Sequence, residues 1–249
     1  MHLFPQPQRP VAIGSRASRL RASHSYGVVL LLIIASFLFA LTAPDDDWAV
    51  SVLVLAYAAI LSAALWTSGL TGVDLRSRAV LVATAAGVAV AQLVTGGQRL
   101  YGIAAILTGV LIAAAILVIA LGVMDQGAVN SQSIRGAICI YLLLGLLFVF
   151  VYGAVAALGG PLFADGSDGD RGLRVYFSFV TLATVGYGDY TPGTDLGRGL
   201  AVIEALTGQL YLVTVVALLV SRIGIQQGTL AGRRRASSPE DEVSTDLGG

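Results

Sequence analysis

Long apolar runs separated by short polar breaks dominate this chain. Six of them reach or approach the roughly 20 helical residues that cross a hydrocarbon core. They lie near 26–43, 48–67, 79–96, 101–123, 137–158 and 199–222. The break between the fifth and sixth, 159–198, is the longest, and it holds the glycine-rich stretch TLATVGYGDYTP at Thr181–Pro192. Just before it, about Leu173 to Ala183, the pattern predicts a short helix. Both ends are polar and contain Gly, Ser and Pro, and RRRASSPEDEVSTDLGG at the end reads as disordered. The pattern divides the chain into a basic tail (1–25), a four-helix region (26–123), a linker (124–136), a two-helix segment with its connection (137–225) and a second tail (226–249). A cytoplasmic regulatory domain does not fit in that tail.

Composition turns these runs into membrane spans. The 249 residues are 56% hydrophobic and only 12% charged, with a mean hydropathy of +0.81. A soluble domain needs more surface charge, so the expected class is an all-α, polytopic membrane protein. The single cysteine, Cys139, cannot form an internal disulfide. The two histidines, His2 and His24, both lie in the N-terminal arm. No cluster suits a transition metal and no nucleophile–base pair is visible, which argues against a membrane enzyme. No cofactor and no nucleic-acid partner is expected. Lysine is absent, and with abundant alanine and glycine this suggests a GC-rich bacterial genome.

The arginines set an orientation. Arg9, Arg16, Arg19, Arg21, Arg76, Arg78, Arg135, Arg222 and Arg233 to Arg235 fall on one side if six spans are real. Arg99, Arg171, Arg174 and Arg198 fall on the other, among Asp45 to Asp47, Asp165, Asp168, Asp170, Asp189 and Asp195. The positive-inside rule then puts both termini in the cytoplasm of a cell-membrane protein and 159–198 outside. A cleaved signal peptide covering the first run is the alternative, although no clean A-x-A site precedes Pro44.

Irregular backbone at membrane depth must be enclosed by protein or line a water-filled cavity. TVGYG, at Thr184–Gly188, is a potassium-channel filter sequence. On these residues, from YFSFVTLATVGYGD through TP to GRGLAVIEALTGQLYLVTVVALLVSRIG, the chain resembles the potassium channel family. The resemblance covers roughly 137–225, well under half the chain. It implies an outer helix, a re-entrant pore helix, a filter and an inner helix. One filter copy per chain implies a homotetramer. It implies K+ as the permeant ion, conducted passively, with Thr184, Val185, Gly186, Tyr187 and Gly188 as ligands through backbone carbonyls and the threonine hydroxyl. The chemistry reads the same way. A dehydrated ion needs replacement oxygens, and carbonyls point one way only if the backbone alternates in handedness. Gly186 and Gly188 accept positive φ at little cost, while Val185 and Tyr187 turn away from the ion and brace the ring.

The resemblance also assigns supporting residues. Asp189 follows the filter; Tyr176 and Val180 stand where relatives carry its donor or a second acid. Tyr176 is therefore the expected donor, with no second carboxyl behind the filter. Gly208 reads either as a gating hinge or as a small residue for close helix packing. Gln209, Leu212, Val216 and Val220 share one helical face, which by resemblance lines the cavity and forms an apolar throat. Glu204 is an acid inside an apolar span, hence a functional candidate, expected behind the filter with Thr181 or Ser178 as donor. The fourth run has none of the spaced arginines of a voltage sensor, so little voltage dependence is expected; scaffolding and lipid contact remain for the first four helices. Arg233 to Arg235 read as a topology-setting tail or as a contact for anionic lipid. The rivals are a weakly selective cation channel, a non-conducting membrane scaffold or sensor, and a potassium-uptake transporter subunit.

Overall fold

Leu, Ile, Val and Ala fill the runs between the polar breaks, and each run is helical. The computed structural model describes residues 25–68, 75–95, 98–124, 131–159 and 161–236; at several helix ends, at scattered positions including Val216, and beyond Leu218 it describes the backbone alone. Seven helices are described: α1 (Ser25–Thr42), α2 (Asp47–Thr67), α3 (Leu75–Thr95), α4 (Gln98–Met124), α5 (Ser131–Gly159), α6 (Arg171–Leu182) and α7 (Asp195–Ala236). Both tails assigned from sequence, 1–25 and 226–249, lie almost wholly outside the residues whose side chains are described.

Three of these helices are long and apolar enough to cross a membrane, over Asp47–Thr67, Tyr101–Met124 and Ser131–Ala157. Two other apolar stretches, Tyr26–Thr42 and Val82–Ala91, are shorter. Helix boundaries overrun the apolar runs at two places. α5 begins at Ser131, six residues before the fifth run, and α7 continues through polar sequence to Ala236. Hydropathy marks the lipid-matched part of a helix; backbone hydrogen bonding carries the helix further when no Pro or capping signal stops it.

α5 is the centre of the packing. α4 lies along one side of it, α1 along another, and α6 and α7 close the third. α2 packs between α1, α3 and α4. The core among them is built on Leu53, Tyr57, Ile60, Ile112, Ile119, Leu143 and Leu146, all essentially inaccessible. Tyr57 meets Phe150 edge to face at 5.4 Å. Ser51 Oγ donates to Ala89 O at 3.0 Å and ties α2 to α3. α7 touches only α5 and α6 extensively, and Val202, Ile203, Leu206, Leu210 and Val213 on it are exposed.

Candidate functional site

The connection from α6 to α7 is held in shape from within. Asp170 caps α6, its Oδ1 accepting from Leu173 N–H at 2.7 Å. At the other end, α6 does not simply stop. Its last carbonyls collect the amides that follow: Thr184 N donates to Thr181 O at 2.9 Å, Val185 N to Val180 O at 2.9 Å and Gly186 N to Val180 O at 3.4 Å. These amides therefore face the helix.

Three alternate residues have positive φ: Thr184 at 55°, Gly186 at 53° and Gly188 at 80°. Val185 and Tyr187 do not. The two glycines were legible in the sequence; the threonine was not, because a β-branched residue avoids that region at a cost of about 1–3 kcal/mol. The signal available was parity, since 184, 186 and 188 are in step. At Gly186 and Gly188 an added Cβ would meet nothing within 4 Å, so dihedral angle rather than space demands glycine. Thr184 is met by Gln209, whose Nε2 donates to Thr184 Oγ1 at 2.7 Å. Val185 and Tyr187 are 52% and 72% exposed, so this chain does not itself supply the surroundings expected to brace them.

The next layer encloses the stretch. Tyr176 Oη donates to Asp189 Oδ2 at 2.7 Å. Ala164 N donates to Thr191 O and Gly193 N to Leu162 O, both at 2.9 Å, and clasp the segments before α6 and after Asp189. Rings pack in series around this clasp, Tyr152–Phe177 at 5.2 Å, Phe177–Phe163 at 5.3 Å, Phe163–Tyr190 at 5.6 Å and Tyr190–Tyr176 at 6.3 Å.

Behind α6 lies Glu204, fully buried. Ser178 Oγ lies 2.5 Å from its Oε1, and Tyr152 Oη donates to its Oε2 at 2.6 Å. Ser178, not Thr181, is the contact on α6, and Tyr152 of α5 was missed because its partner is 52 residues away. Position 180 is valine, and the acid behind α6 is Glu204 of α7, whose contacts are Ser178 and Tyr152. Gly208 lies one turn further along α7. An added Cβ there would collide with the backbone carbonyl of Leu182, and α7 is one continuous helix through it. Close approach thus accounts for this glycine without a bend. Gln209 is exposed and Leu212 is 39% exposed; the side chains of Val216 and Val220, also expected on that face, lie outside the described residues.

The N-terminal end of α6 has its own anchor. Arg171 Nη2 donates to Asp45 Oδ1 at 2.8 Å and Pro44 O at 3.0 Å. Arg174 Nη2 donates to Asp45 Oδ2 at 3.0 Å and to Tyr101 Oη at 2.6 Å, and its Nη1 to Gly169 O at 2.6 Å. Sequence reading placed Asp45 and both arginines on one side of a membrane but did not pair them.

Residues 137–224 match the family model described as Ion channel. Several relatives match part of the chain. Probable potassium channel protein 2 of Methanocaldococcus jannaschii is 46% identical over 51 residues, which are 19% of this chain and 15% of that protein. Two pore potassium channel a of Oryza sativa subsp. japonica is 39% identical over 87 residues, 33% and 24% of the two chains. Protein LctB of Geobacillus stearothermophilus is 35% identical over 86 residues, 32% and 62% of the two chains. This chain thus spans less than two thirds of each of these relatives. No solved structure matches it.

Proposed function

We propose, from the match of residues 137–224 to the ion channel family model and from the likeness to potassium channels, that this membrane protein is a potassium-selective channel whose filter is Thr184–Gly188. Four chains surround one axis, each lending its filter, with six spans per chain and both termini in the cytoplasm. The observation that carries this reading is the alternation of positive φ at 184, 186 and 188, together with amides turned back onto α6. With the N–H groups occupied there, the carbonyls are left for an ion. Each ring of carbonyls replaces part of the hydration shell that potassium sheds. Thr184 Oγ1, fixed by Gln209, adds oxygen at the inner end. Tyr176, Asp189 and Glu204 support the stretch, and the face bearing Gln209, Leu212, Val216 and Val220 lines the cavity below. The C-terminal end of α6 points its negative dipole end toward that cavity and favours a cation. Exposed apolar side chains such as Leu31, Val94 and Val110 meet lipid. Movement is down the gradient and uses no cofactor.

Flux from liposomes containing the full chain tests this. Potassium efflux that barium blocks, that Gly186→Ala abolishes and that sodium does not reproduce is the expected result. Equal potassium and sodium flux would replace the reading with a weakly selective channel.

A further inference from the structure

Arg171 and Arg174 stand where a helix least tolerates cations. Both lie near the N-terminal end of α6, where the macrodipole is positive. Their side chains are only 3% and 4% exposed. A buried cation needs an ionised partner, and the first turn of α6 has no acid. The partner is Asp45, from the connection between α1 and α2, which takes one guanidinium on each oxygen. Tyr101, near the start of α4, accepts from Arg174 and brings a third element to the same point.

α1 continues this attachment downward. A Cβ at Gly172 would lie 3.1 Å from Leu41 O, so the end of α1 is pressed against the start of α6. Further along, Phe37 meets Phe179 edge to face at 4.8 Å. α6 is 12 residues long, about 18 Å at the α-helical rise, and its far end holds the amides of Thr184, Val185 and Gly186. A short rigid helix transmits any displacement of its anchored end to those amides.

We propose that Asp45 is a positioning residue for the filter, and that α1, α2 and α4 act through it as a splint that keeps α6 at the height the conducting backbone requires. This gives the four-helix region a role that needs no sensor charges. The proposal rests on the channel reading above, and two readouts separate their failures.

The first readout is hydrogen–deuterium exchange of the full-length protein in detergent, followed in peptides covering 183–187 and, as reference, in α2. Asp45→Asn is expected to raise exchange in 183–187 by about tenfold, the coupling typical of contacting groups, with α2 unchanged and Asp45→Glu restoring protection. The second is the decay of potassium flux from liposomes under a sustained gradient, expected to quicken in Asp45→Asn and to quicken little more when Arg174→Gln is added. Wild-type exchange and decay in an assembled Asp45→Asn protein would overturn the proposal. Should Asp45→Asn fail to assemble, Arg174→Lys, which keeps the charge and loses the forked bonds, decides: unchanged exchange in 183–187 overturns it. A wild-type protein that passes no potassium counts against the channel reading alone, because the exchange experiment still reports on the splint.

Discussion

Ser178 has one hydroxyl proton and two acceptors beside it. Gly145 O lies 2.8 Å from its Oγ and Glu204 Oε1 lies 2.5 Å away. Both contacts are full two-centre hydrogen bonds, rather than one shared proton, if the carboxyl of Glu204 carries a proton and donates it to Ser178, which donates onward to Gly145. Tyr152 then donates to the other oxygen. A neutral acid also avoids the heavy cost of an ionised carboxylate in an apolar interior. Glutamine reproduces this arrangement, its amide N–H replacing the acid proton and its oxygen accepting from Tyr152. Glu204→Gln is therefore expected to keep assembly and thermal stability near the wild-type level, while Glu204→Ala, which orphans the Tyr152 hydroxyl, loses about 1–3 kcal/mol. Thermal unfolding of the two purified variants checks this; equal losses would contradict the proton assignment. An acid within an apolar run announces itself in a sequence, and so did Glu204. Its tyrosine did not, since nothing in an apolar run says which hydroxyl will face which helix.

Where α6 meets α7, backbone touches backbone. Any side chain at Gly208 would have to displace the carbonyl of Leu182, which belongs to the turn that holds the filter amides. Gly208→Ala is expected to cost about 1–3 kcal/mol, as overpacking does, and to lower the melting temperature of the purified protein. Gly199 on the same helix has nothing within 4 Å of an added Cβ, so Gly199→Ala should stay within about 0.5 kcal/mol of the parent. If the two behaved alike, the contact would not explain the glycine. At this scale the apolar pattern located every long helix and the short one. It missed the ends, because residues 131–136 and 223–236 are polar yet stay helical, and polarity marks where lipid stops rather than where a helix does. The hinge and packing readings of Gly208 could not be separated by pattern, since both ask only for a small residue.

The apolar side of the candidate filter is exposed. Val185 and Tyr187 present that face to whatever surrounds a single chain, and the proposed ring of chains would cover it. On the proposed reading, the four-helix region bears on the ring mechanically rather than electrically. The Tyr101–Met124 stretch of α4 has no arginine or lysine, whereas one charge crossing the field would shift an equilibrium by about 2.3 kcal/mol per 100 mV, roughly fiftyfold. Conductance in planar bilayers is accordingly expected to change by less than about twofold per 100 mV; a steep curve would require a charge that the Tyr101–Met124 stretch lacks. The candidate filter was legible from five residues because its chemistry is local. The Asp45 anchor was not, because Asp45 and the arginines it holds are 126 and 129 residues apart and only the folded chain brings them together. The length of α7 has a consequence of another kind. Its 42 residues span about 63 Å at the α-helical rise, against about 30 Å of hydrocarbon. If the helix runs on without bending from a span that begins near residue 199, positions 233–235 sit about 20 Å below the hydrocarbon edge, some two Debye lengths in physiological salt. In the proposed tetramer, the end of α7 would stand clear of the lipid head groups as a stalk beside the same stalks of the other chains.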